Sequence, residues 1–364
     1  MTAPGIGEAP NGVSAHQSAG TPFHLAGGSG SEPSWALDVL EFGHVLELVA
    51  GHAAGPLGAE RIRERRPSSD LAVIRAELTP IGELLALFAT GGAVDAFAVP
   101  PLRAVLSRLR LEGSVLEGRE LLAVRQTLGA ARGVAAELKR IEGTAPTAGA
   151  LRVSVPEAAL EKRLNESLDD EGELLDTASP ALFKARREIH AARERLVKKL
   201  ETILRGLDGS AVGAGGSVTM RGGRYVIPVR RDSRARPEGI VHDESASAGT
   251  LFLEPTGAIE FGNALRAAVA EADREALRVL RELTERLRPH AEALAAAHEM
   301  CIVVDDLVAR ARYAEKVGGR VPTVQGSGEA PALRRARHPI LLGRGLEGVA
   351  FDLELDRVEH TLLI

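Results

Sequence analysis

The hydrophobic positions along the chain predict a mainly helical protein. From Trp35 to about residue 140, apolar residues recur at three- and four-residue steps, the spacing that places them on one face of an α-helix. Within this stretch, Ser114 and Glu117 have the spacing of a capping box ahead of another apolar run. We therefore predict that the whole stretch is helical.

Two later stretches have the apolar heptad pattern of a coiled coil. The first follows Ser179 and Pro180, a typical N-cap and first residue of a helix, and its length of about 25 residues corresponds to roughly 35–40 Å. The second begins after residue 262, and we expect the two helices to pair as an antiparallel arm. The first seam consists of Leu182, Ala185, Ile189, Ala192, Leu196 and Ile203, and the second of Leu265, Val269, Ala272, Ala276, Leu280, Leu283 and Leu287.

The segment between these helices, residues 206–262, has a different pattern. It is rich in glycine and contains short runs of strand-forming residues, so we predict a small β-rich domain. Gly222 and Gly223 suit a two-residue hairpin turn, because both positions accept a positive φ. Pro228 cannot donate a ladder hydrogen bond, so its strand should lie at a sheet edge or end there. The predicted strands are 218–220, 225–227, 240–242 and 250–253.

Together these patterns predict a mainly α fold with a small β-rich domain inserted at the tip of the arm. The last stretch, with RARHPILL and the apolar Thr361–Ile364, looks like strands and predicts the truncated start of a further domain. The opening residues are rich in Gly, Pro, Ala and Ser and contain no Lys or Arg, which indicates a disordered tail. The predicted divisions are 1–34 (tail), 35–205 (helical core), 206–262 (β-rich domain), 263–325 (returning helices) and 326–364 (truncated domain).

The composition excludes several classes of protein. The formal net charge is −5 and the pI is about 6.1, so a polyanionic partner must be met by a local patch. The single cysteine, Cys301, excludes an internal disulfide and a cysteine metal cluster, and it suits a reducing cytoplasm. No apolar run approaches the roughly 20 residues of a membrane span.

An arginine-rich stretch, RGGRYVIPVRRDSRARPEG at residues 221–239, is the strongest candidate binding site. Arginine donates two parallel hydrogen bonds to phosphate and stays charged. Tyr225 is the only aromatic residue in the stretch, so the contact should depend on the shape of a nucleic-acid backbone rather than on its bases. A merely solvated loop is the alternative. The six arginines are Arg221, Arg224, Arg230, Arg231, Arg234 and Arg236.

The number of arginines that contact a ligand determines how strongly binding depends on salt. If all six each neutralised one phosphate, log affinity against log salt would have a slope of about −5. Strand alternation argues against counting all six, because Arg230 and Arg231 point to opposite faces whereas Arg224 and Arg230 share one. We therefore expect about half of them to contact one duplex.

Two further groups of residues are weaker candidates, and no catalytic or metal-ligating residue is predicted. A set of hydroxyl residues after the third predicted strand either donates to phosphate or closes its own loop. A tripeptide near the end of the chain either lines the adenine side of a nucleotide pocket or is a plain strand entry. The first group is Ser245, Ser247 and Thr250, and the second is Arg337, His338 and Pro339.

Several motifs in order resemble the type-two branch of the bacterial MutS family. Residues 221–263 contain RYVIPV, GIVHD, SAS and TLF-EP, which resemble the clamp signature of that family. LEFGHVL with GPLG near residues 40–58, ASPALFKARREI, DDLVARARYA and RARHPILL resemble its lever helices and the entry to its ATPase domain. The resemblance covers roughly residues 35–364 and departs at Gly249, which stands one place later than expected. We name residues 206–262 the clamp.

The resemblance implies a cytoplasmic, nucleoid-associated homodimer that binds branched DNA and suppresses homologous recombination. It places ATP and Mg²⁺ in a domain after residue 364 and implies a C-terminal Smr nuclease domain. The chain itself contains no glycine-rich loop ending in GK[ST], so we expect no ATP hydrolysis by this stretch alone. Two alternatives stay open: binding of RNA or the ribosome in the rescue of stalled ribosomes, and a coiled-coil scaffold whose tip binds an acidic protein.

Overall fold

The computed structural model describes residues 34–213, 215–245, 249–326, 331–346 and 348–354. The chain divides into two compact units, Met1–Glu41 and Phe42–Ile364. The smaller unit contains α1 (Ser34–Val39), and the predicted tail before α1 lies outside the described residues. All other elements belong to the larger unit.

The larger unit is mainly helical and contains a four-stranded antiparallel sheet, as the hydrophobic pattern predicts. Before the clamp it has α2 (Phe42–Ala50), α3 (Pro56–Arg63), α4 (Leu71–Ala89), α5 (Arg103–Leu109), α6 (Gly118–Ile141), α7 (Pro146–Gly149), α8 (Ala158–Asn165) and α9 (Pro180–Arg205). The clamp contains β1 (Thr219–Arg221), β2 (Arg224–Arg230), β3 (Gly239–Glu244) and β4 (Thr250–Pro255), in the order β1-β2-β4-β3. Next come α10 (Ile259–Leu287) and α11 (Ala291–Val317), joined by a 3₁₀ turn at Arg288–His290.

Two apolar clusters form the helical base of the unit. In the first, Leu84 of α4 and Val134 of α6 pack with Val304 of α11. In the second, Leu128 of α6 packs with Leu182 of α9, at the root of the arm. Because α6 contributes to both clusters, the arm is anchored on the same helix that organises the core.

A buried aspartate fastens α3 to α11. The Asp305 carboxylate accepts hydrogen bonds from the backbone N–H groups of Ala54 at 2.7 Å and Gly55 at 3.0 Å, at the N-terminus of α3. Burial raises the pKa of Asp305, against the lowering effect of these two donors. A Cβ atom at Gly58 would lie only 2.2 Å from Asp305 Oδ2, so the close approach requires glycine there.

The helices α9 and α10 lie antiparallel along each other, as the two seams predict. Leu182 near the start of α9 shares a cluster with Leu283 near the end of α10. Leu200 near the end of α9 shares a cluster with Ala258, just before α10. The hydroxyl of Ser179 accepts a hydrogen bond from the Leu182 N–H at 3.0 Å and caps α9.

The seam on α10 differs from the predicted one. Val269 was expected to face α9 but is 41% exposed, whereas the neighbouring Ala268 is only 7% exposed and Val279 is 1% exposed. A straight helix has 3.6 residues per turn, so a contact face drifts away from a strict seven-residue repeat along its length. The prediction for Val269 is therefore wrong.

The clamp sheet contains the predicted hairpin but uses Pro228 differently. Gly222 and Gly223 have φ values of 53° and 75° and join β1 to β2. The expectation that Pro228 lies at an edge or ends its strand is wrong, because β2 is an inner strand and Pro228 lies opposite Phe252. The carbonyl of Pro228 accepts from Gly213 N–H at 3.1 Å on the side where β1 has already ended, so no ladder bond needs the missing N–H.

The start of α6 and the RARHPILL motif also differ from their predictions. The capping box of α6 is formed by Glu117 and Glu120, whereas the Ser114 hydroxyl donates to the Leu111 carbonyl at 2.8 Å. RARHPILL, residues 335–342, was expected to be a strand, but only Arg335 and Ala336 belong to one, β5 (Ala332–Ala336). Pro339 begins the short helix α12 (Pro339–Gly343), because proline suits the first turn of a helix. β5 pairs antiparallel with β6 (Phe351–Glu354), and Thr361–Ile364 lies outside the described residues.

We predict that Asp305→Ala lowers the free energy of unfolding by about 2–4 kcal/mol, because it leaves two part-buried backbone N–H groups without their acceptor. Asp273→Ala, at an exposed position of α10, is the control and should change stability little. Urea unfolding followed by circular dichroism measures both. Equal midpoints for the two variants would contradict the role of Asp305.

We predict that Ala268→Glu weakens the arm by about 2 kcal/mol or more, because it buries a carboxylate in the α9–α10 contact. Val269→Glu, one residue further on, should be tolerated because that side chain is exposed. Thermal unfolding of the two variants tests the observed face of α10. If Val269→Glu were the more destabilising change, the heptad prediction would stand instead.

Candidate nucleic-acid interface

The six arginines of the candidate site lie on β1, on β2 and in the loop that follows β2. Arg221 ends β1, and Arg224 and Arg230 begin and end β2. Arg231, Arg234 and Arg236 lie between β2 and β3. The cluster is a continuous segment of the chain, and the structure brings carboxylates from β3 and β4 to three of its members, Arg221, Arg224 and Arg231.

Arg224 is bound inside the clamp by a buried carboxylate. Its Nη1 lies 2.9 Å from Glu254 Oε1 and 3.2 Å from Oε2, and the two side chains are 21% and 2% exposed. His242 Nε2 lies 2.7 Å from Glu254 Oε2, because a bulge in β3 makes His242 an extra residue opposite β4. A Cβ atom at Gly262 of α10 would lie 2.8 Å from Glu254 Oε1, so this cluster also packs against the arm.

Arg221 lies over an aromatic ring on β4. Its guanidinium carbon is 4.3 Å from the centre of the Phe252 ring, a cation–π contact, and its Nε is 3.2 Å from Asp243 Oδ2. Phe252 alternates with Leu251 and Leu253, which belong to the apolar cluster between the sheet and the arm helices. Arg221 therefore covers the opposite face of the sheet from that cluster.

Arg230 and Arg231 form exposed ion pairs. Arg230 Nη2 is 2.9 Å from Asp232 Oδ2, and the side chains are 52% and 70% exposed. The hydrogen bond from Arg230 holds the pKa of Asp232 below its usual value. Arg231 Nη2 is 2.7 Å from Glu244 Oε2, with exposures of 55% and 35%. Such pairs in water contribute little to stability, about 0–1 kcal/mol, and are easily broken.

Arg234 and Arg236 differ from the other four arginines. Both side chains are exposed, and neither has a carboxylate within ion-pair distance in the described part of the chain. Between them and β3 lie Pro237 and Glu238, and Glu238 also forms no ion pair with any described residue. The loop between β2 and β3 thus presents the two guanidinium groups of this cluster that have no carboxylate partner among the described residues.

The remaining predicted contact residues are less accessible. Tyr225 is partly buried against the apolar cluster under the sheet. The N–H of Thr250 donates to the Ser245 hydroxyl at 3.1 Å, and the N–H of Ser245 donates to the Thr250 carbonyl at 2.9 Å, so the pair closes the loop between β3 and β4. Thr250 is only 6% exposed, and Ser247 lies outside the described residues.

The tripeptide at 337–339 lies at the start of α12. Arg337 and His338 are exposed, and Pro339 begins a helix of only five residues. No phosphate-binding loop with a GK[ST] ending occurs in the sequence. A nucleotide contact of these three residues stays a prediction, because the family resemblance places ATP and Mg²⁺ in a domain after residue 364.

Among the residues that the structure describes, no cluster of His, Cys, Asp and Glu could hold a metal ion. None of the helices described is both long enough and apolar enough to cross a bilayer. Burial raises the pKa of Cys301 to about 12, which leaves this thiol unreactive at neutral pH.

Four acidic or aromatic residues of the clamp were not predicted from the sequence as part of the site: Asp243, Glu244, Glu254 and Phe252. One feature of the sequence could have indicated a role for Glu254. Glu254 follows the apolar run TLFL within a predicted strand, and a carboxylate in such a run is usually paired. Which arginine pairs with it depends on strand order and on the bulge in β3, which the sequence does not reveal.

The defining feature of the chain is an antiparallel helical arm that carries a small sheet with several arginines. No family model matches it. It is 36% identical over 334 residues to endonuclease MutS2 of Gemmatimonas aurantiaca, which is 90% of this chain and 41% of the relative. It is 38% identical over 309 residues to endonuclease MutS2 of Geobacillus thermodenitrificans, which is 84% of this chain and 39% of the relative.

A third relative is the putative endonuclease MutS2 of Bacillus subtilis, 32% identical over 332 residues, 90% of this chain and 42% of the relative. The chain is therefore a homologue of the MutS2 proteins, as its motifs indicate. It spans about two fifths of the length of these relatives.

We predict that Glu254→Ala destabilises the clamp by about 3–5 kcal/mol, because it leaves the Arg224 guanidinium half-buried without its carboxylate. Asp232→Ala breaks an exposed pair and is the control, with an expected change below about 1 kcal/mol. Hydrogen exchange of the β2 and β4 amides measures local opening in both variants. Equal exchange rates would show that the Arg224–Glu254 pair does not hold the sheet together.

Proposed function

We propose that the clamp of this MutS2 homologue binds the phosphate backbone of nucleic acid, with Arg234 and Arg236 as its first contacts. The main support is that these two exposed guanidinium groups have no carboxylate partner among the described residues, whereas the other four arginines of the cluster do. They can attract a polyanion without breaking an internal ion pair. Arg224 takes no part in this contact because its side chain is mostly buried and its Nη1 binds Glu254.

The arm supports the proposal by its geometry. The 26 residues of α9 correspond to about 39 Å at 1.5 Å per residue. The sheet packs on the far end of this helix, where Leu196 and Leu200 contact Ile227 and Leu253. A rigid arm of this length holds a contact surface well away from the helical base, which suits a bulky ligand such as a duplex.

DNA is the proposed ligand because the relatives are named endonucleases. The chain spans about two fifths of their length, so we propose that ATPase and nuclease activity, the homodimer and any suppression of recombination belong to the whole protein. In that setting this stretch supplies the arm and the clamp. Arg337, His338 and Pro339 lie at the start of the short helix α12, and we assign them no part in the clamp contact.

The contact should depend on backbone shape rather than on sequence. The Arg221 guanidinium lies over the face of the Phe252 ring, and Tyr225 is partly buried under the sheet. Phosphate contacts do not distinguish DNA from RNA by themselves. Structured RNA or a ribosome is therefore the alternative ligand, and a competition assay decides between them.

We predict that the 364-residue chain binds a four-way DNA junction with a slope of log affinity against log salt of about −2, because two arginines are free to neutralise phosphates. Arg234→Ala with Arg236→Ala should weaken binding and bring the slope close to zero. Arg103→Ala with Arg320→Ala removes two exposed, unpaired arginines elsewhere and is the control. Fluorescence anisotropy at several salt concentrations measures each variant.

Two outcomes would change this proposal. If both double variants bind DNA like the unsubstituted chain, the clamp loop is not the contact. If structured RNA displaces the junction at a lower concentration than linear duplex DNA does, RNA is the preferred ligand and the ribosome alternative takes its place.

A further inference from the structure

The described residues of the clamp carry nearly balanced charge at the surface where the arginines lie. Apart from the buried Arg224–Glu254 pair, five arginines face four carboxylates, those of Asp232, Glu238, Asp243 and Glu244. Three of these carboxylates bind an arginine of the cluster directly, at N···O distances of 2.7–3.2 Å. A phosphate that approaches Arg221, Arg230 or Arg231 therefore competes with a carboxylate that is already there.

We infer that Asp232, Asp243 and Glu244 are specificity-determining residues, because they compete with phosphate for the clamp arginines. A ligand is therefore held firmly only when its phosphates replace several of these carboxylates together. This inference rests on the proposed function. The ligand class it selects is a polyanion with closely spaced phosphates, such as a DNA duplex or junction, over isolated phosphates or a sparsely acidic surface.

The exposure of the three pairs makes the exchange feasible. At least one-third of each side chain in these pairs is exposed, so water replaces the lost partner at little cost. The Arg224–Glu254 pair is the opposite case, because its carboxylate is 2% exposed and its loss would leave a buried charge. One pair therefore maintains the fold, and three are available for exchange.

The three exchangeable pairs are not equivalent. Arg221 keeps its contact with the Phe252 ring and a hydrogen bond to the Met220 carbonyl even when Asp243 is removed. Arg230 and Arg231 each have one carboxylate partner and no ring contact among the described residues. Removal of Asp232 or Glu244 should therefore free an arginine more completely than removal of Asp243.

The test is the variant Asp232→Asn, Asp243→Asn, Glu244→Gln, made in the 364-residue chain and compared with Glu238→Gln. Glu238 lies in the same segment and carries the same charge but pairs with no described arginine, so its substitution controls for a general change in charge. The single variant Asp232→Asn, which alters the most exposed of the three carboxylates, serves if the triple variant unfolds. Binding to a four-way DNA junction is measured by anisotropy at several salt concentrations.

We expect the triple variant to bind roughly 3- to 100-fold more tightly, which corresponds to roughly 1.5- to 5-fold per released pair. Its salt slope should steepen from about −2 to about −4.5, because five arginines then release counterions and no displaced carboxylate takes up a cation. Glu238→Gln should change affinity less than about twofold, because Glu238 is exposed and blocks no arginine through an ion pair among the described residues, so its removal only weakens a screened repulsion of phosphate. Asp232→Asn alone should tighten binding by roughly 1.5- to 5-fold.

Each other result overturns the inference in a recognisable way. If the triple variant matches Glu238→Gln in affinity and slope, the carboxylates do not compete with phosphate. A gain in affinity without a steeper slope indicates a long-range charge effect and also refutes it. If junction binding of the unsubstituted chain does not depend on Arg234 and Arg236, the proposed function itself fails, which the double alanine variant shows separately.

Discussion

The apolar contact between α9 and α10 is the interaction on which the rest of the structure depends. At one end, Leu182 and Leu283 join the helical base, and at the other, Leu196 and Leu200 support the clamp sheet. The sheet has only four short strands, and a small sheet is not stable without a surface to pack on. The same seam therefore anchors the arm and gives the clamp its core.

Burial separates the ion pairs of the clamp into two kinds. Glu254 is enclosed between Arg224, His242 and the start of α10, so its charge must be met within the protein. The pairs of Arg230 and Arg231 lie in water, where a phosphate can replace a carboxylate with little loss. One arginine cluster thus combines a structural contact with a surface that can exchange its partners.

Much of the fold could be predicted because helix period, caps and turn glycines are local properties. Ser179, Gly222 and Gly223 behave as their local sequence indicates. The predictions that were wrong concern residues whose environment is set by a neighbouring strand or helix. Pro228 is tolerated in an inner strand because β1 ends beside it and Gly213 meets its carbonyl, and the exposure of Val269 reflects how α10 rotates against α9.

The sequence by itself determined that the chain is mainly helical, that a β-rich segment interrupts two pairing helices, and that arginines gather in that segment. These features follow from periodicity and from residue order, which are properties of the chain alone. Only the tertiary structure decided which arginines are free, because Asp243, Glu244 and Glu254 come from strands that pairing brings beside them. Charge balance at a surface depends on distance in space, and strand order sets that distance.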